Sequence, residues 1–137
     1  SNAMRNLELT MEVLCKLASI GVNLSLDDFG VGHSSLSHLK RLPVRELKVD
    51  RSFISDIETD PENMAIVSAI VSLAKATDLK VVAEGVETLG QQALLAEIGC
   101  DVIQGYLIGR PGPPGDVATI ARSYEAKRRT FEESFTA

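Results

Sequence analysis

Seven polar residues stand where this sequence leaves one regular segment for the next: Asp27 and Asp28, Lys48 and Asp50, Glu84 and Glu87, and Gln104. Neighbouring carboxylates such as Asp27-Asp28 repel each other when both are ionised, so an enclosed pair calls for a proton, a cation or full hydration. Mg²⁺ and Mn²⁺ prefer oxygen ligands, and two such ions about 3.5–4 Å apart can bind the attacking and leaving oxygens of a phosphodiester. The plainer alternative is that the two aspartates only cap the turn at Phe29-Gly30. Lys48 poses a similar choice. An ammonium on the inner face of a strand is costly unless paired, so it either forms an ion pair with Asp50 or Glu84 or faces an anionic substrate. Beside such a lysine Glu84 can serve as a general base, whereas Glu87, beyond the strand end, can fix the loop.

Other motifs carry less. Asp28-Phe29-Gly30 spells the metal-binding tripeptide of protein kinases, but no catalytic-loop or Gly-rich-loop companion accompanies it. Gly30-Val31-Gly32 more often supplies positive φ angles than a phosphate cradle. His33 and His38 lack the repeated His or Cys spacing of a zinc site. Cys15 and Cys100, far apart and flanked by apolar residues, read as free thiols in a reducing cytosol.

The charge balance narrows the partners. Fourteen Lys and Arg face 19 Asp and Glu, for a formal charge of −5, which disfavours duplex nucleic acid because that contact rests on clustered cations. A phosphorylated ligand remains open if metal ions stand between carboxylate and phosphate. No apolar stretch approaches the roughly 20 residues of a membrane span, so no membrane contact by this segment is expected.

Periodicity gives the elements that must position these residues. Leu7, Met11, Leu14 and Leu17 form one apolar helical face ending at Gly21. Val22, Leu24 and Leu26 then alternate with Asn23, Ser25 and Asp27, a strand with Asp27 on the face opposite the leucines. Ser34 or Ser35 caps a short helix running to about Leu42, and a second strand covers Glu46–Asp50. Asp60-Pro61-Glu62 opens a helix to about Ala76, Leu79–Glu84 is a third strand, and Thr88 with Gln91 makes a capping box for a helix toward Ile98. Asp101–Tyr106 is the fourth strand; a loop at Gly109–Gly115 and a helix over Asp116–Phe131 close the chain.

Strand and helix alternate four times after a leading helix. That cadence predicts an α/β fold with a parallel sheet, either half of an eight-stranded barrel of about 250 residues or a small open sheet. Its sites gather at the carboxyl ends of the strands. The 137 residues suit one domain, with Ser1-Asn2-Ala3 reading as a cleaved-tag scar before a single unit over residues 4–137.

Taken in order, Asp27-Asp28-Phe29-Gly30-Val31-Gly32-His33-Ser34-Ser35-Leu36, Leu47-Lys48-Val49-Asp50, Val82-Ala83-Glu84-Gly85-Val86-Glu87 and Gln104-Gly105-Tyr106 resemble the EAL family of bacterial cyclic di-GMP phosphodiesterases, specifically the carboxyl-terminal half of its domain. The resemblance covers about residues 10–112 and implies a partial TIM-like barrel. It further implies that Asp27 bridges two Mg²⁺ or Mn²⁺ ions and Asp28 helps hold the second. Glu84 is then the candidate general base, Lys48 lies beside the attacking water and scissile phosphate, and Gln104 supports that wall. Glu87 and Asp50 stand one layer further out.

The family commonly has threonine and tyrosine where this sequence has Val31 and His33. Its Glu-Ala-Leu signature, a metal-binding asparagine and a further metal-binding glutamate have no counterpart in these 137 residues. The resemblance implies a parent enzyme that converts cyclic di-GMP to pGpG in the cytoplasm, free or anchored to the membrane through upstream segments. Half a metal shell sets the expectation that this segment alone is inactive. The competing reading is a noncatalytic receptor or signalling scaffold. Upstream sensor or GGDEF-type domains are possible companions, and an open half barrel is expected to self-associate as a homodimer.

Overall fold

A computed structural model describes residues 2–29, 39 and 41–136. The chain runs α1 (Asn2–Ser19), β1 (Ser25–Phe29), β2 (Glu46–Val49), α2 (Arg51–Ile54), α3 (Pro61–Ala76), β3 (Lys80–Glu84), α4 (Leu89–Ile98), β4 (Val102–Gln104) and α5 (Val117–Thr136), with a 3₁₀ turn at Pro114–Asp116 before α5. The expected helix from Ser34 or Ser35, the Gly30-Val31-Gly32 loop, His33 and His38 fall outside the described residues.

The four strands form one sheet in the order β1-β2-β3-β4, every neighbour parallel. Parallel neighbours need crossovers, and α3 and α4 supply them between β2 and β3 and between β3 and β4. Period-two alternation then divides the residues cleanly. Leu47, Val49, Val81 and Ala83 are completely buried in the apolar core with Val67 and Ala74 of α3 and Leu95 of α4. Register places Lys48 beside Val82 and Glu84 beside Gln104 on the other face of the sheet. The apolar rows that hold the helices thus leave the polar rows together.

Local signals set the helix limits. Asp60 accepts the Glu62 N–H at 2.9 Å with Pro61 in the first turn, and Thr88 and Gln91 make the reciprocal capping box at α4. Gly99, at φ +83, lets Cys100 N donate to Leu95 O at 2.9 Å and close the helix.

Some element boundaries differ from expectation, and one short helix was not expected. β1 begins at Ser25 rather than Val22, because its partner β2 begins at Glu46 and Pro43 just before it has no N–H for a ladder. The fourth strand contracts to Val102–Gln104, its ladder with β3, its one partner among the described residues, ending at Glu84 and Gln104. The helix α2 has only four residues, too short for periodicity to register; Asp50 starts it by accepting the Ser52 N–H at 2.8 Å.

Candidate functional site

The site lies at the carboxyl edge of the sheet, where each strand passes from its buried apolar residues to polar ones. At the end of β1 the pairing slips between Leu26 and Phe29. Asp28 occupies this bulge with φ +52, a conformation aspartate tolerates better than most residues. The Asp28 N–H donates to Asp27 Oδ1 at 3.0 Å. Strict alternation would send adjacent side chains to opposite faces; the bulge instead lets both acids serve one side.

They meet Glu84 there. Asp27, Asp28 and Glu84 each offer a carboxylate oxygen, and the three oxygens lie within 4.8 Å of one another. Lys48, from the strand between, reaches Asp27 Oδ1 at 3.3 Å and forms a second ion pair with Glu84. The lysine is raised above its ordinary range first by the hydrogen bond to Glu84, against which burial works, and then by Asp27. Lys48 therefore stays an ammonium. Three carboxylates against one ammonium leave an anionic cluster of hard oxygen donors, a donor set that suits a divalent cation of the Mg²⁺ or Mn²⁺ kind.

The remaining candidates are distributed around this cluster. Gln104 stands beside Glu84 across the β3–β4 pairing, and its exposed position borders the same face. Of the two partners considered for Lys48, Glu84 takes the ion pair. Asp50 turns instead to the α2 amino terminus, where the Ser52 hydroxyl and then its N–H hold the carboxyl below its usual range. Glu87 lies outside the cluster and pairs with Arg51, 2.6 Å from its Nη2. Sequence reasoning missed Arg51; its signal was a basic residue directly after the Lys48-Val49-Asp50 motif, three positions beyond Lys48 as Glu87 is beyond Glu84.

The segment after β4 folds back onto this edge. Val86 N donates to Gln104 O and Leu107 N to Val86 O, both at 3.0 Å. Gly105 permits this approach, because a Cβ there would fall 2.8 Å from the Val86 carbonyl carbon.

Residues 1–111 match the EAL domain family. The chain belongs to that family. Among curated relatives of this EAL chain, the bifunctional diguanylate cyclase/cyclic di-GMP phosphodiesterase MucR of Pseudomonas aeruginosa is 52% identical over 113 residues, covering 82% of this chain and 16% of the relative. The cyclic di-GMP phosphodiesterase NbdA of the same organism is 50% identical over 121 residues, covering 88% of this chain and 16% of its own. The solved cyclic di-GMP complex of the MucR phosphodiesterase superposes with a TM-score of 0.77 at 50% identity, over 85% of this chain and 47% of that one. The Klebsiella pneumoniae BlrP1 complex with manganese and cyclic di-GMP gives 0.67 at 40% identity, over 73% and 26%. The EAL chain thus spans about a sixth of those curated relatives and under half of the solved MucR chain. Its four-stranded parallel sheet with crossover helices is a partial TIM-like barrel. No helix among the described residues is long and apolar enough to cross a membrane.

Proposed function

We propose that this EAL chain is part of a bacterial cyclic di-GMP phosphodiesterase that opens the cyclic dinucleotide to linear pGpG. The supporting observation is the convergence of Asp27, Asp28 and Glu84 on one point, with Lys48 bound among them. Asp27 and Asp28 would hold a divalent cation of the Mg²⁺ or Mn²⁺ kind. Bound ions of this kind supply charge stabilisation and a more acidic water. Glu84 accepts the proton of the attacking water while the new phosphorus–oxygen bond forms and the bond to the ribose oxygen breaks, the leaving oxygen taking a proton from solvent. Lys48, already oriented by two carboxylates, presents its ammonium to the phosphate. Gln104 would support the same wall of the site through a hydrogen bond, and Asp50 acts one layer back by starting α2.

Chromatography of pGpG, with Mg²⁺ or Mn²⁺ present, provides the test. A longer protein carrying these residues and the rest of a metal shell should form it, and the 137 residues alone should form little or none, because one side of a two-metal clamp does not preorganise the reaction. Equal rates from both would remove the need for further ligands. Tight metal-independent binding without hydrolysis by the longer protein would make it a receptor.

Further domains of sensor or GGDEF type, and a cytoplasmic setting, fit this substrate and the bifunctional relative. Self-association of the chain is part of the same reading. Val102 is 43% exposed on the face that carries Lys48 and Glu84, and β1 and β4 are unpaired on their outer sides among the described residues. Such edges and apolar patches favour a second copy. Light scattering across a dilution series should show a dimer; a monomer at every concentration would reject it.

A further inference from the structure

Two ion pairs link β2 and β3 and the segments that follow them. Lys48 of β2 meets Glu84 of β3 within the site, and three residues further along each segment Arg51 meets Glu87 at 2.6 Å. Between Glu84 and Glu87 the chain bends at Gly85, with φ +71. The aliphatic stem of Arg51 lies across that bend: a Cβ on Gly85 would fall 2.8 Å from both Cβ and Cδ of the arginine. Only glycine accommodates both the angle and the approach.

Behind the bend the loop is fastened again. Gln91, 4% exposed, accepts the Glu87 N–H at 2.7 Å and the Thr88 N–H at 3.1 Å, and its Nε2 donates to Ser55 O at 3.2 Å. The Thr88 hydroxyl donates to Glu58 Oε2 at 2.7 Å. The segment after Glu84 is therefore tied to the segment after Lys48 by the bonds of the buried Gln91, by the exposed Thr88–Glu58 bond and by one exposed ion pair. Arg51 and Glu87 side chains are 61% and 45% exposed, and pairs so placed add little to stability. The Gln91 and Thr88 bonds hold the loop without help from the exposed pair.

We propose that Arg51 is a positioning residue for the metal cluster: by lying over Gly85 and clamping Glu87 it sets how Glu84 leaves β3 and keeps the Glu84 carboxylate within reach of Asp27 and Asp28. Glu84 is the last residue of its strand and is followed by the residue type with the widest backbone freedom. Beyond the ladder, the latch restrains that junction. The Glu84 oxygen lies within 4.8 Å of the Asp27 and Asp28 oxygens, so a small rotation at this junction changes the charge and hydrogen bonding around an ion held by the two aspartates.

The inference rests on the metal reading proposed for this site, and Mn²⁺ binding to the 137-residue chain, monitored by the paramagnetic resonance of the free ion, tests the two separately. Arg51→Ala and Glu87→Gln should each weaken Mn²⁺ binding by up to roughly 10-fold, the lower end of the effect of groups bonded to a ligand directly. The double variant should bind no more weakly than either single one, and Arg51→Lys, which keeps the charge but loses the fork, should lie between. Thermal unfolding midpoints without metal should barely move. Unchanged Mn²⁺ affinity in both single variants would overturn the latch and leave the metal site standing, and affinity losses that simply track lost thermal stability would overturn it in favour of a structural role. Absence of Mn²⁺ binding by the unsubstituted chain would overturn the metal reading and the latch with it.

Discussion

Asp27→Asn, introduced into a longer protein that hydrolyses cyclic di-GMP, should lower metal-dependent turnover by roughly 100-fold or more. The substitution keeps the size of the side chain and one oxygen but removes a charge from a cluster whose use is to offset cations. It also removes an anionic partner of Lys48, leaving Glu84 as the remaining carboxylate on the ammonium. Folding should survive, because the Asp27 side chain is 63% exposed and outside the apolar core. The measurement is initial rate against Mn²⁺ concentration, with circular dichroism to confirm the fold. A loss recovered by more metal would mean weakened binding, a loss that persists at saturation would mean a misplaced reaction centre, and unchanged turnover would reject Asp27 as a ligand.

The largest loss of stability should come from Leu47→Ala. Leu47 lies in β2, an inner strand of the sheet, and none of its surface meets water. Its neighbours across the sheet are Leu26 and Val81. Shortening a buried leucine to alanine loses transfer free energy and leaves a cavity, together about 2–5 kcal/mol. Against the roughly 5–15 kcal/mol that holds an ordinary domain, that is enough to unfold much of the population on mild heating. Urea unfolding monitored by circular dichroism measures it, and a loss below about 1 kcal/mol would show that the surrounding helices close the gap.

The two substitutions act on opposite faces of one sheet, and that division was legible in the sequence. Leu47-Lys48-Val49 and Val81-Val82-Ala83-Glu84 alternate by backbone geometry alone, so burying Leu47, Val49, Val81 and Ala83 compels Lys48 and Glu84 to the other side. Caps at Asp60 and Thr88 were equally readable, because each depends on residues within three positions. The parallel run of the four strands and the edge at which acids would gather also came from local pattern. The tertiary structure alone decided which charges meet. Asp50 and Glu84 were equivalent partners for Lys48 by type and nearness of motif, but α2, too short to signal itself, drew Asp50 away to Ser52. The slip in the β1–β2 pairing, which places Asp28 with Asp27 rather than opposite it, depends on a strand some twenty residues distant. Arg51 and Glu87 came together only because β2 and β3 are adjacent and Gly85 admits the arginine stem. Alternation and capping are settled by neighbours along the chain, whereas the choice among several possible ion pairs turns on ångström distances between segments that only packing brings side by side.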